Sequence, residues 1–393
     1  MAGLIPVEEA LERLLALVVP LPTEDVPLCR AGGRVLALGM AALHDQPPFA
    51  ASVMDGYAMR GVEAHPGARF RVIGEAAAGG APGPAVGSGE AVRIFTGAPL
   101  PPGADRVVIQ EDVDRDEDGI TLGGRLDANP YVRPAGADFA AGDLLPAGPL
   151  TPARVALAAS MGHGALPCAR RPAVAIVPTG DELRQPGEPL APGQIHASNG
   201  YGLAAMVEAA GGEARLLPVA RDAEASIRAV IGLAEGADLI VTMGGASVGD
   251  HDRIGPVLEA MGMERSFWKV AMRPGKPLMA GRFGTAAVVG LPGNPVSSMV
   301  CGRIFLVPML RRMLGLPPDE PVRQVPLAMP LEANGPRQHY MRATLGPAGV
   351  KAADRQDSSL LTVLAKADHL VVRPPHDPAR APGMNVQVVP LAV

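Results

Sequence analysis

The stretch Asp238-Leu-Ile-Val-Thr-Met-Gly-Gly-Ala-Ser-Val-Gly-Asp-His-Asp252 decides how this chain is read. Leu239 to Met243 is apolar and partly β-branched, which predicts a buried strand. Gly244, Gly245 and Gly249, with the small polar Ser247 among them, allow positive φ and let backbone N–H groups converge on an anion. Asp252 then opens an amphipathic run, Ile254, Val257, Leu258 and Met261, that predicts a helix. Strand, glycine loop and helix is the layout that seats a phosphate on a helix N-terminus. Asp250 and Asp252 at the loop's exit would repel a phosphate, and a divalent cation such as Mg²⁺ bridging the two removes the conflict. An ordinary strand-to-helix turn with a solvated Asp pair has the same residues, so the loop alone leaves both readings open.

Outward from this loop, strands and helices alternate from Pro172. Ala173 to Val177 predicts a strand ending in Pro178-Thr-Gly-Asp-Glu-Leu183. A helix starts at Ser198 or Asn199, either of which can cap it, and carries Leu203, Met206 and Val207. A short strand at Leu216 to Val219 precedes a helix from Asp222. Ala286 to Leu291 predicts a strand that enters Pro292-Gly-Asn-Pro295 and a long helix to about Met313. Strands joined by helical crossovers imply a doubly wound parallel sheet with helices on both faces. Ligands bind such sheets beyond the carboxyl ends of the strands. Three polar loops fall there: Thr179 to Glu182, Gly244 to Asp252, and Gly290 to Ser297. Their convergence predicts one site.

The flanking parts differ in pattern. Residues 6–18 predict an amphipathic helix opened by Pro6. Residues 44–138 predict a β-rich body with strands at Phe70 to Ile73, Ala91 to Phe95 and Arg106 to Gln110. Thr151-Pro152 predicts a second helix able to pack on the first, so the β-rich body reads as an insertion into a helical hairpin. The last part predicts a small all-β domain, with strands at Val325 to Met329, His339 to Leu345, Leu360 to Leu364, His369 to Arg373 and Asn385 to Val389. The boundaries read as 1–43 with 139–171 (helical linker), 44–138 (β-rich), 172–318 (α/β) and 319–393 (all-β).

Composition narrows the function classes. At 393 residues the chain is too long for one core. A net charge of −5 argues against a broad nucleic-acid surface. The three cysteines, Cys29, Cys168 and Cys301, lack metal-ligand spacing and fit a reducing cytoplasm. No basic-then-apolar start predicts a signal peptide. Val296 to Leu316 is broken by Arg303, Arg311 and Arg312 and reads as a buried helix, not a membrane span. The chain has 4 Lys against 31 Arg, yet Lys269 and Lys276 fall together in Trp268-Lys-Val-Ala-Met-Arg-Pro-Gly-Lys-Pro277. Lysine is not interchangeable with arginine where geometry is tight. With Arg273 they form a cationic segment that either meets an anion beside the acidic loops or is solvated surface. Asp55 on a Gly-flanked turn and Thr96 at a strand end likewise have ordinary turn explanations.

Six runs together resemble the MoeA-type molybdopterin molybdenumtransferases, a family that includes the E domain of gephyrin. They are Ser-Val-Met-Asp-Gly-Tyr-Ala (52–58), Phe-Thr-Gly-Ala-Pro (95–99), Thr-Gly-Asp-Glu-Leu (179–183), Gly-Gly-Ala-Ser-Val-Gly-Asp-His-Asp (244–252), Arg-Pro-Gly-Lys-Pro (273–277) and Leu-Pro-Gly-Asn-Pro-Val-Ser (291–297). The resemblance implies four-domain subunits in an elongated homodimer. It implies that adenylylated molybdopterin and molybdate react with release of AMP, aided by Mg²⁺. It places Asp181, Glu182 and Asp252 at the metal. It gives catalytic roles to Glu182, Asp222, Asp252, Lys269 and Arg273, and to Asp55, Thr96 and Asp138 from the β-rich domain of the dimer partner. Substrate-binding roles fall to Thr179, Gly180, Gly244, Gly245, Ser247 and Gly249, and to Lys276, Pro277, Pro292, Asn294, Pro295 and Ser297. Arg342 and Ser358 complete the oxyanion site. The implied partners are the molybdopterin adenylyltransferase and molybdoenzyme chaperones, with no nucleic acid and no membrane. Ala197, Arg273 and Ala137 depart from the family's usual Asp, Lys and Glu. Two rival functions share the architecture: a non-catalytic gephyrin-like scaffold, and molybdopterin adenylylation by residues 172–318 alone.

Overall fold

The computed structural model describes residues 3–244, 253–319 and 323–392. It divides into two compact units, residues 1–24 with 169–393, and residues 25–168. The first is built on a six-stranded sheet. Its elements are α1 (Val7–Leu15), β1 (Ala173–Pro178), α2 (Asn199–Ala209), β2 (Glu213–Leu216), α3 (Glu224–Gly232), β3 (Leu239–Met243), α4 (Ile254–Ala260), β4 (Glu264–Trp268), β5 (Met272–Arg273), β6 (Met279–Phe283), β7 (Ala286–Leu291), α5 (Pro295–Cys301) and α6 (Val307–Met313). The sheet order is β2-β1-β3-β7-β6-β4. β2, β1, β3 and β7 are parallel, as their helical crossovers require. β6 and β4 add an antiparallel edge that the sequence pattern did not predict.

Alternation along the strands sends side chains to both faces. Val174, Ile176, Leu239 and Val241 join Leu203, Val300, Phe305 and Leu310 on one side. Ala175, Val177, Ile240 and Val288 meet Ile227, Ile231, Ile254 and Leu258 on the other. With both faces covered, near-continuous apolar runs in β1, β3 and β7 are what the packing demands. α1 buries Val7, Ala10 and Leu14 in the first of these cores. The helix Pro152–Ser160 belongs to the other unit, where Ala158 and Met161 pack with Leu36 and Leu166. Its N-cap is as expected, with the Thr151 hydroxyl accepting from the Arg154 N–H. The predicted long helix from Pro295 contains a five-residue π segment, Gly302–Leu306, separated from Pro308 only by Val307. Proline has no N–H to close the α-helical ladder, and a widened turn absorbs the interruption.

The carboxy-terminal sheet comprises β8 (Arg323–Pro326), β9 (Gln338–Gly346), β10 (Gly349–Ala352), β11 (His369–Arg373) and β12 (Asn385–Pro390), with a helical turn α7 (Leu361–Leu364). Its order is β5-β9-β11-β12-β8, so its edge strand, Met272–Arg273, comes from the middle of the α/β part. Leu361–Leu364 is helical, where a strand over Leu360 to Leu364 was expected. Asp357 Oδ1 accepts from the Ser359 N–H and hydroxyl, at 2.8 and 2.6 Å, and this turn starts the helix.

In the unit of residues 25–168, a six-stranded sheet holds Arg69–Ala76, Glu90–Ile94 and Arg106–Ile109, the three strands expected there, with Gly56–Met59, Val113–Arg115 and Ile120–Leu122. Among the described residues no helix is long and apolar enough to cross a membrane.

Candidate active site

Because β1, β3 and β7 are parallel and adjacent, their carboxyl ends emerge side by side. The loops that follow are tied to one another. The Thr179 N–H and hydroxyl both donate to the Met243 carbonyl, at 3.0 and 2.9 Å, and the Gly244 N–H donates to the Leu291 carbonyl at 3.1 Å. Gly244 has φ +90°, and a Cβ there would lie 2.9 Å from the Thr179 carbonyl oxygen. No larger residue fits this crossing without strain. Asn199 at the start of α2 donates from Nδ2 to the Gly293 carbonyl at 2.7 Å. The expected Ser198 or Asn199 cap is not made; the structure uses Asn199 to tie a neighbouring loop instead.

Residues at these strand ends line an open cavity of about 670 Å³. Of the residues named from sequence, Thr179, Gly180, Glu182, Asp222, Gly244, Pro277, Pro292, Asn294 and Pro295 line it. Glu182 folds back over Gly180, whose hypothetical Cβ would sit 2.4 Å from the carboxylate. Asp181 is exposed and does not line the cavity; its Oδ1 accepts from the Asp222 N–H at 3.2 Å, which positions the loop carrying Asp222. Gly245, Ser247, Gly249, Asp250 and Asp252 lie outside the described residues. Among the described residues no three His, Cys, Asp or Glu side chains form a metal-binding cluster. Two carboxylates, Glu182 and Asp222, nevertheless face the one cavity. Mg²⁺ typically takes one or two protein carboxylates and completes its shell with water and substrate phosphate, so this pair fits such an ion.

The cationic segment is placed differently from expectation. Among its residues only Pro277 lines the cavity. The Lys269 ammonium sits 4.1 Å from the centre of the Trp268 ring, with Lys269 itself at φ +75°. Arg273 and Lys276 are exposed. Arg273 stands beside His339 in strand register, and Arg373 flanks His339 on the other side. His339 is 7% exposed and its Nε2 has no hydrogen-bond partner among the described residues. Burial, then the charges of Arg273, Arg342, Arg373 and Arg337, push its pKa down to about 4.

Arg342 is not an open ligand here. It is 1% exposed. Its Nε donates to Gln356 Oε1 at 3.1 Å, and its other nitrogens donate to the carbonyls of Asp357 (2.8 Å) and Arg355 (3.4 Å). It braces the segment Ala353–Asp357 from behind. Ser358 accepts from Asn294 Nδ2 at 3.1 Å, and its neighbour Ser359 is the one that lines the cavity. Ser297 is buried in the first turn of α5. His196, Ser198, Asn199 and Ser359 line the cavity and were not foreseen as site residues; the polar run His196-Ala-Ser-Asn199 was the available signal.

In the other unit, Gly56 pairs with Ile94, which sets Asp55 against Thr96. Thr96 donates to Asp55 Oδ1 from its N–H and its hydroxyl, both at 2.8 Å, and these bonds hold the Asp55 carboxyl below its ordinary range. Asp138 is exposed, with its N–H donating to the Gln46 carbonyl at 2.9 Å.

Three family models match in order along the chain: the MoeA N-terminal region (domain I and II) over residues 5–162, the probable molybdopterin binding domain over 175–312, and the MoeA C-terminal region (domain IV) over 324–391. The chain belongs to the MoeA family. A molybdopterin molybdenumtransferase of Nostoc sp. is 36% identical, over 94% of this chain and 89% of its own length. One of Synechococcus elongatus is 35% identical over 96% and 98%. The crystal structure of a molybdopterin biosynthesis MoeA protein from Pyrococcus horikoshii superposes with a TM-score of 0.85 at 32% identity, covering 99% of each chain. MoeA architecture thus accounts for the mixture of α/β and all-β parts described above.

Proposed function

We infer that the chain is a molybdopterin molybdenumtransferase, an enzyme that inserts molybdenum into molybdopterin during molybdenum cofactor biosynthesis. Residues from the ends of three parallel strands lining one cavity, in a chain matched along its length by MoeA models, carry this reading. Relatives of that name share nearly the whole chain, which favours it over adenylylation by residues 172–318 alone. The finer proposal is that adenylylated molybdopterin and molybdate are the substrates, AMP a product, and Mg²⁺ the assisting ion. Glu182 and Asp222 would hold Mg²⁺, which when bound supplies charge neutralisation at the phosphates. Backbone N–H groups and Asn294 at the strand ends orient the substrate in the cavity, and the apolar walls of Pro178, Met243 and Pro292 limit water. The protein is proposed to act as a homodimer in the cytoplasm.

The test is AMP release from adenylylated molybdopterin with molybdate and Mg²⁺. Asp222→Asn and Glu182→Gln are each expected to lower the rate about 10- to 100-fold and to raise the Mg²⁺ requirement. Full rates at unchanged Mg²⁺ dependence in both variants would reject the assignment.

A further inference from the structure

A second hollow, of about 350 Å³, lies in the carboxy-terminal sheet, lined by residues separate from those of the cavity above. Its floor is the β9–β10 pair, where Thr344 stands opposite Lys351 and Ala343 opposite Ala352. One side is the segment from Ala353 to Arg355, and the other is α7 with the turn after it. Lys351, Arg355 and Lys366 line it against one lining carboxylate, Asp354. Asp357 lies near enough to Arg355 to feel its charge. Among the described residues none of these three cations has a side-chain hydrogen bond or ion pair. Some arginines elsewhere pair with carboxylates, as Arg170 does with Asp238 and Arg380 with Asp377.

All three cations are exposed, so water screens their mutual repulsion, and an anion held among them would gain from all three at once. The choice of residue points the same way. The chain has 4 lysines, and two of them line this hollow. A compact ammonium makes a point contact to a phosphoryl oxygen, whereas guanidinium presents a wide fork. The backbone that presents Arg355 is fixed beforehand, because buried Arg342 holds the Arg355 and Asp357 carbonyls and Gln356. The volume falls in the lower range of small-ligand sites, roughly 300–1,000 Å³, and exceeds what a bare oxyanion fills. Ala352, Ala353 and Val363 give it an apolar side. We propose that this hollow is a second anion site that takes a small phosphomonoester, with the phosphoryl group among Lys351, Arg355 and Lys366 and the carbon body against the apolar side.

The scarcity of lysine makes the test direct. Protein carrying ¹³C at lysine Cε gives one resonance for each lysine, assigned by single Lys→Arg substitutions. Titration with inorganic phosphate, at ionic strength held constant with chloride, is expected to move Lys351 and Lys366 along saturating curves with one midpoint. Glycerol 3-phosphate is expected to give a lower midpoint than phosphate. Arg355→Glu and Arg355→Gln are each expected to raise both midpoints roughly tenfold, with the Lys269 and Lys276 responses unchanged. Non-saturating shifts like those in chloride, separate midpoints for Lys351 and Lys366, indifference to both Arg355 variants, or no gain from the glycerol body would each overturn the proposal. None of these readouts depends on the transferase reaction.

Discussion

His339 and Arg342 show how a residue's role is set by partners distant in sequence. His339 is accommodated neutral, with a folded pKa near 4 against an ordinary 6.5. Between those values the unfolded chain binds the extra proton. Stability therefore falls as pH is lowered from about 6.5 to about 4, by up to roughly 3 kcal/mol. Denaturation midpoints across that range are expected to flatten in His339→Gln relative to the parent. Arg342 was legible from sequence as a cation in a motif, but its partner Gln356, 14 residues on, was not. Arg342→Ala would remove the side-chain donors to Gln356 Oε1 and to the Asp357 and Arg355 carbonyls, although the residue-342 N–H still reaches Gln356 Oε1 at 3.0 Å, and is expected to cost about 2–4 kcal/mol in urea unfolding. A stability unchanged in that variant would return Arg342 to the role of a free ligand. Glu182 and Asp222, assigned from the resemblance, both line the cavity, Glu182 just past the end of β1.

At the scale of elements, hydrophobic runs told most of the story. β1, β3 and β7 are buried on both faces, so their composition gives them away, and parallel crossovers then bring their loops to one edge. β4 and β6 were missed because the Pro- and Gly-containing link between them dominates the local pattern. α7 was mistaken for a strand because four residues, Leu-Thr-Val-Leu, carry too little periodicity to separate the two states. The glycine at the edge can be tested alone. Gly244→Ala meets both a positive φ and the Thr179 carbonyl, and is expected to destabilise by about 1–3 kcal/mol by urea titration. An equal or higher midpoint would show that the loop crossing relaxes.

For the molecule as a whole, cores rather than linkers define the parts. Residues 169–393 cluster as one unit with the first 24. Tyr340, Leu370 and Val372 of the carboxy-terminal sheet share a core with Val174 and Leu239 of the α/β sheet. A boundary at 318 is visible as a change of pattern in sequence, but side chains pack across it. In the other unit, Phe70 is packed with Tyr57, Val108 and Ile120. Phe70→Ala is expected to remove about 3–5 kcal/mol from that unit, and hydrogen exchange should show the loss in residues 25–168 with protection of β1, β3 and β7 retained. Uniform loss across both units would mean that they unfold together.

The excursion from Trp268 to Met279 has a mechanical consequence. The backbone leaves one sheet at β4, lends β5 to the edge of another, and re-enters the first at β6. Such a stitch, sewn in the middle of the chain, leaves no single seam along which the carboxy-terminal body can swing free or be cut away. Pro277, on the return thread, faces the main cavity, so a pull on the far sheet is delivered to the wall where substrate would rest.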